Sequence, residues 1–194
     1  MTNGFNSYIE NIDTGFIKEI CINKGKIVQL CRNDYFVKEK ESFPYIGFVD
    51  MGILKYTCTN MTEKKVYNTG FAFPKEFVAD YPACLYNVPA TINIQAITSC
   101  KVYVCHSNEI LLQYEHEIEL QKKARLIAEQ LFFQTYSRYL DLFRFTPEER
   151  YLQLLERCPE ILQMISLKEI ASYLKITPVH MSRIRYRQNF GDKE

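Results

Sequence analysis

Two short apolar-patterned stretches near the C-terminus, each opened by its own cap and separated by three residues, constrain this chain more than any other feature. Ser166-Leu167-Lys168-Glu169 is a capping box: a hydroxyl accepts a free backbone N–H group, and a carboxylate three residues on reaches back. Thr177-Pro178 opens a second helix, with proline where its missing N–H costs nothing. Helices over Leu167 to about Leu174 and Pro178 to about Arg187 leave only Lys175-Ile176-Thr177 between them, the spacing of a helix-turn-helix. Ile170, Ala171, Leu174, Ile176, Met181 and Ile184 have the spacing of a small core between two crossed helices, with Ala171 at the close approach. The polar side of the second helix then presents His180, Ser182, Arg183, Arg185 and Arg187. From Ser166 to Phe190 there are five Lys/Arg and one acid, a local charge of +4 in a chain whose net charge is +1. Cations on such a helix suit phosphates and guanine edges, so the pattern points to DNA.

The rest of the chain divides by pattern. Residues 1–107 carry short β-like runs: Ile27–Leu30, Tyr45–Val49, Ile53–Thr59, Ile92–Ile97 and Val102–Cys105. They are punctuated by the turn signals Asn23-Lys24-Gly25, Asp50-Met51-Gly52 and Asn68-Thr69-Gly70. Short strands with regular turns predict an antiparallel roll, barrel or sandwich. Residues 108–143 lack Pro and Gly; with Ser107 as N-cap they predict one helix of roughly 54 Å. Leu120, Ala124, Ile127 and Leu131 alternate spacings of four and three along it, an a/d seam for a twofold mate. Leu126, Phe132 and Phe133 are left for contact with the chain's own β domain. Residues 144–194 carry three short helices, the first opened by Thr146-Pro147-Glu148-Glu149.

Seven scattered cysteines without a Cys-x-x-Cys pair argue against a disulfide framework and against a zinc or iron–sulfur site. Reduced, mostly buried thiols are expected. His106, His116 and His180 are far apart, so no metal and no metal-dependent enzyme is expected. No run approaches the roughly 18 apolar residues of a membrane span, and the first residues carry no secretory pattern; a cytoplasmic protein is expected. The few residues after the third helix leave little room for a wing hairpin.

The segment Ile170-Ala171-x-x-Leu174-x-Ile176-Thr177-x-x-x-x-Ser182-Arg183 resembles the helix-turn-helix of the CRP/FNR family of bacterial transcription regulators. The order of β domain, long helix and helix-turn-helix extends the resemblance over nearly the whole chain. It implies an α+β protein: an N-terminal antiparallel β-roll (a cupin-like jelly roll) related to cyclic-nucleotide-binding domains, a long dimerisation helix, and a C-terminal all-α or winged helix-turn-helix domain. The implied partners are a double-stranded DNA operator, a second copy of the chain and RNA polymerase, with no membrane and no enzymatic activity. The DNA-contacting set carried over is Ser166, Thr177, Pro178, Val179, His180, Ser182, Arg183, Arg185 and Arg187. The family's turn glycine is Lys175 here, and two of its base-reading positions are Pro178 and Val179.

The family's cyclic-nucleotide cassette falls, without a gap, on Phe77 to Ala96. Its Gly, Glu, Arg, Ser/Thr and Ala become Ala79, Asp80, Ala90, Thr91 and Ile92. Without that Arg a buried phosphate is undercompensated, so cAMP and cGMP are not expected to bind. The degenerate pocket of Phe77, Ala79, Asp80, Tyr81, Ala90, Thr91 and Ile92, with Phe73 and Tyr86 nearby, leaves open an unidentified small-molecule effector or none. A dimeric ligand-binding roll that has lost DNA binding is the alternative. A cupin-type enzyme ranks last.

Overall fold

A computed structural model describes residues 4–6, 8 and 15–190. The chain forms two compact units, Tyr8–Phe132 and Met1–Ser7 with Phe133–Glu194. The boundary between the two units falls between Phe132 and Phe133.

In the first unit, α1 (Gly15–Asn23) precedes eight strands: β1 (Lys26–Leu30), β2 (Tyr35–Val37), β3 (Tyr45–Met51), β4 (Leu54–Thr59), β5 (Val66–Ala72), β6 (Phe77–Val78), β7 (Asn93–Ala96) and β8 (Cys100–His106). A short α2 (Tyr81–Tyr86) stands between β6 and β7. The strands make two antiparallel sheets, β1-β8-β3-β6 and β2-β7-β4-β5, with one core between them that includes Val49, Leu54, Val78, Ile94 and Val102. This is the expected β-roll. Gly52 turns β3 into β4 with φ +91, and a Cβ there would meet the Ser99 carbonyl at 2.3 Å. The Asn68-Thr69-Gly70 signal is not a turn. It lies inside β5, where Tyr56 pairs with Gly70 and Thr57 with Asn68, so Thr69 is the extra residue of a bulge.

A second cluster joins α1 to the outside of the roll. Ile17, Ile20 and Cys21 pack with Ile46, Phe48 and Cys105, and Ile127 of the long helix is in the same cluster. Five of the seven cysteines are buried and all are free thiols; Cys21 and Cys105 share a hydrogen bond at 3.1 Å.

The single long helix expected over residues 108–143 is two, α3 (Ser107–His116) and α4 (Ile118–Arg144), parted by Glu117 in extended backbone at φ −129, ψ 108. The cap also moves by one residue. His106 Nδ1 accepts from the Asn108 N–H at 3.2 Å, while Ser107 is buried and donates to the Cys84 carbonyl at 2.8 Å. The side chain of His116 lies outside the described residues.

The second unit contains the Phe133–Arg144 part of α4, then α5 (Pro147–Arg157), α6 (Ile161–Met164), α7 (Leu167–Tyr173) and α8 (Pro178–Phe190). Sequence reading missed α6. Among the described residues this unit is all helical. The chain's first residues belong to it as well. Phe5, 2% exposed, lies 4.4 Å from the Arg138 guanidinium and 5.3 Å from that of Arg157, with Tyr173 edge-on at 5.3 Å. Arg138 donates to the Phe5 carbonyl, and Gln134 donates to the Asn6 side-chain oxygen at 3.2 Å.

Candidate nucleic-acid interface

The helix-turn-helix is built as its residues dictate. Ser166 Oγ accepts from the Glu169 N–H at 3.3 Å and starts α7. Thr177 Oγ1 accepts from the His180 N–H at 3.1 Å and starts α8. In α5 the Thr146–Glu149 capping box is complete in both directions. Ile170, Ala171, Leu174, Met181 and Ile184 are buried together with Tyr151, Leu154 and Ile161 of the preceding helices. Ile176 is half-buried.

Lys175 takes the turn that glycine takes elsewhere. Its φ is +60. The Ile176 N–H bonds the Ala171 carbonyl at 2.9 Å and the Lys175 N–H bonds that of Ser172 at 3.1 Å. Those two bonds are the Schellman ending of α7. A Cβ in the left-handed region costs roughly 1–2 kcal/mol, partly offset by the entropy that glycine would lose. Lys175→Gly is therefore expected to stabilise this unit by about 1 kcal/mol, read as a higher urea midpoint with unchanged slope. An unchanged or lower midpoint would mean that the turn is not strained.

Pro178, Val179, His180, Ser182 and Arg183 are all exposed along the first half of α8, and Val179 is 62% exposed. Met181 and Ile184 are turned inward around them. The three arginines separate by environment. Arg183 makes no ion pair among the described residues. Arg187 reaches Glu148 of α5 at 3.4 Å. Arg185 is half-buried beside Tyr151, whose phenol is raised by burial and drawn back by that guanidinium. Lys168 and Lys175 add exposed cations at the start and end of α7.

At the positions that the resemblance assigns to a nucleotide cassette, two side chains bond each other. Asp80 is buried at the start of α2, and its carboxylate accepts the Thr91 N–H at 2.7 Å and the Thr91 hydroxyl at 3.0 Å. The Asp80 carboxylate thus holds both the backbone and the hydroxyl donor of Thr91. Ala90 is buried, its carbonyl bonded by the Lys40 N–H and its N–H by the Glu41 carbonyl. Phe77, Ala79, Tyr81 and Ile92 are half-buried and Thr91 is exposed. Burial raises the Tyr81 phenol. Tyr86, expected near the pocket, is 77% exposed.

Of the expected dimer seam, two residues take part in the chain's own packing. Ile127, 5% exposed, is spent on the cluster with Ile20, Phe48 and Cys105, and Leu131 packs against the same cluster. Leu120 and Ala124 are half-buried. The residues assigned to the chain's own contact, Leu126, Phe132 and Phe133, are the exposed ones. Farther along, Tyr136, Tyr139 and Phe143 are also exposed, with Tyr139 edge-on to Phe143 at 5.1 Å.

No family model and no curated protein sequence matches the chain. Solved structures do. FixK2 from Bradyrhizobium japonicum superposes with a TM-score of 0.69 at 17% identity, over 85% of this chain and 84% of that one. CLP, a c-di-GMP-responsive global regulator from Xanthomonas campestris, gives 0.69 at 11% identity, over 91% and 92%. A CRP/FNR family transcriptional regulator from Thermus thermophilus gives 0.61 at 14% identity, over 85% and 87%. The fold of this chain is that of the CRP/FNR-type transcription regulators.

Proposed function

We propose that the chain is a sequence-specific DNA-binding transcription regulator that works as a homodimer and is not controlled by cAMP. The observation that carries this reading is the exposed first half of α8, capped by Thr177 and backed by the buried Met181 and Ile184. The α8 helix enters the major groove by its N-terminal half. Arg183 grips guanine O6 and N7 together. Val179, where the resemblance would place a polar reader, offers its methyl groups to a thymine methyl. His180 and Ser182 serve neighbouring base edges. The capped ends at Ser166 and Thr177 present backbone N–H groups to phosphates, joined by Lys168 and Lys175. Arg187 reaches a phosphate by leaving Glu148, and Arg185 supports α8 from the side of Tyr151.

A second copy supplies the second half-site, through the exposed aromatic face of α4. RNA polymerase is the downstream partner. With the cassette donors held by Asp80, cyclic nucleotides have no anion site to enter.

The test starts with selection of bound sequences from a random duplex pool, followed by anisotropy titration of wild type and Arg183→Ala. The substitution is expected to cost about 1–3 kcal/mol per half-site on the selected sequence and to relax preference at one base pair. Equal weakening on selected and random DNA would make Arg183 a phosphate contact. A pool that enriches nothing would favour a ligand-binding roll without DNA binding.

A further inference from the structure

The β-roll holds a half-open cavity of about 170 Å³ to which β6, α2 and the cassette contribute nothing. Tyr35, Phe36, Phe43 and Tyr45 bring four aromatic rings to it, Val28 and Val104 add aliphatic wall, and Lys26 is its one cation. The rings form a chain of edge-on and tilted contacts, Phe36 to Phe43 at 5.0 Å and Phe43 to Tyr45 at 5.1 Å. We propose that this cavity binds a small aryl carboxylate, with its single ring among the four aromatic side chains and its carboxylate on the Lys26 ammonium.

Size comes first. An apolar cavity of about 150 Å³ takes up one benzene, so this one accommodates one ring and no nucleoside. Charge decides the rest. Among the described residues Lys26 has no carboxylate partner, and its ammonium meets only the Tyr45 ring, 5.7 Å from the centroid. An anion beside an aromatic wall satisfies that ammonium, and a cationic ligand is repelled by it. A neutral ring gains the wall and forgoes the charge. The cassette does not compete for such an anion, because Asp80 occupies its donors.

The cavity also reaches the start of α3 by way of one ring. Tyr45 stands edge-on to His106 at 5.2 Å, and His106 caps α3, the helix that leads to α4. An occupant that turns Tyr45 therefore acts on the start of α3. Whether the site exists is independent of whether α8 binds DNA, since binding is measured on the protein alone.

Calorimetry at pH 7 uses benzoate and its neutral isostere benzamide. Benzoate is expected to bind one per chain with a Kd of about 1 mM or below, and benzamide about tenfold more weakly. Lys26→Met, a surface change, should weaken benzoate about tenfold and leave benzamide where it was. Val28→Phe should fill the cavity and abolish both without lowering the melting temperature. No saturable heat up to about 10 mM benzoate, an unaltered benzoate affinity in Lys26→Met, or undiminished binding in a folded Val28→Phe would each overturn the proposal.

Discussion

Phe5→Ala is expected to lower the stability of the C-terminal unit by about 3–5 kcal/mol, the range for truncating a fully buried phenylalanine. Few single changes outside the helices themselves should cost so much. The ring is held by two guanidinium groups and one phenol: Arg138 at 4.4 Å, Arg157 at 5.3 Å and Tyr173 edge-on at 5.3 Å. Truncation opens a cavity and removes the cation–π contacts of both arginines at once. Arg157 is the last residue of α5 and Tyr173 the last of α7, so the loss falls on the support of the helix-turn-helix. Far-UV circular dichroism in urea measures it, since the chain has no tryptophan reporter. Hydrogen exchange locates it: the Ile170 and Leu174 amides should lose protection while those of β3 and β8 keep theirs. A shift below about 1 kcal/mol would show that Phe5 does not anchor this unit. Tyr8, three residues on, belongs to the other unit, where its hydroxyl bonds the backbone of Phe77 at 3.3–3.4 Å.

That anchor could not be read from sequence, and the reason is physical. A lone Phe in Asn3-Gly4-Phe5-Asn6 belongs to no period and has no cap or turn to mark it. The helix-turn-helix was legible because each of its parts leaves a local mark. Ser166 and Thr177 fix the starts, the spacing of Ile170 to Ile184 fixes the buried side, and three residues between helices fix the turn. Lys175 shows that local chemistry can be overridden. The position demands φ near +60 whatever residue stands there, and the Schellman bonds on either side enforce it. In the β-roll the turn signal at Asn68-Thr69-Gly70 misled because a bulge and a turn both favour small or polar residues. The closed cassette was half legible. Losing the arginine was visible in Ala90, whereas the Asp80 carboxylate holding Thr91 depends on two residues eleven apart meeting in space. At Glu117 the backbone breaks the helix with no Pro or Gly nearby to announce it. On α4 apolar residues occupy two faces, and spacing alone cannot tell which one the chain's own roll covers.

The burial of Ile127 and the exposure of Phe133 and Phe143 set opposite expectations for substitutions on the same helix. Ile127→Glu places a carboxylate among the apolar side chains of Ile20, Phe48 and Cys105, where Ile127 is 5% exposed. It is expected to destabilise the N-terminal unit by several kcal/mol and to give misfolded protein, not a clean monomer. The double substitution Phe133→Glu with Phe143→Glu falls on side chains 58% and 73% exposed, so the chain keeps its fold. Phe133, Tyr136, Leu140 and Phe143 are spaced three, four and three apart, the repeat of a two-stranded helical seam. Two glutamates per chain on such a seam set four like charges against a dry contact, and the expected species in sedimentation is a folded monomer. Operator affinity should then fall about 10²–10⁴-fold, because the second half-site is no longer held at high local concentration by the first. Half-site affinity, measured on a duplex with one selected sequence, should stay within about twofold of wild type, since α8 is untouched. A double variant that sediments as a dimer would return the seam to another face of the molecule. A variant that becomes monomeric yet keeps full operator affinity would remove the dimer from recognition and leave α8 to bind alone.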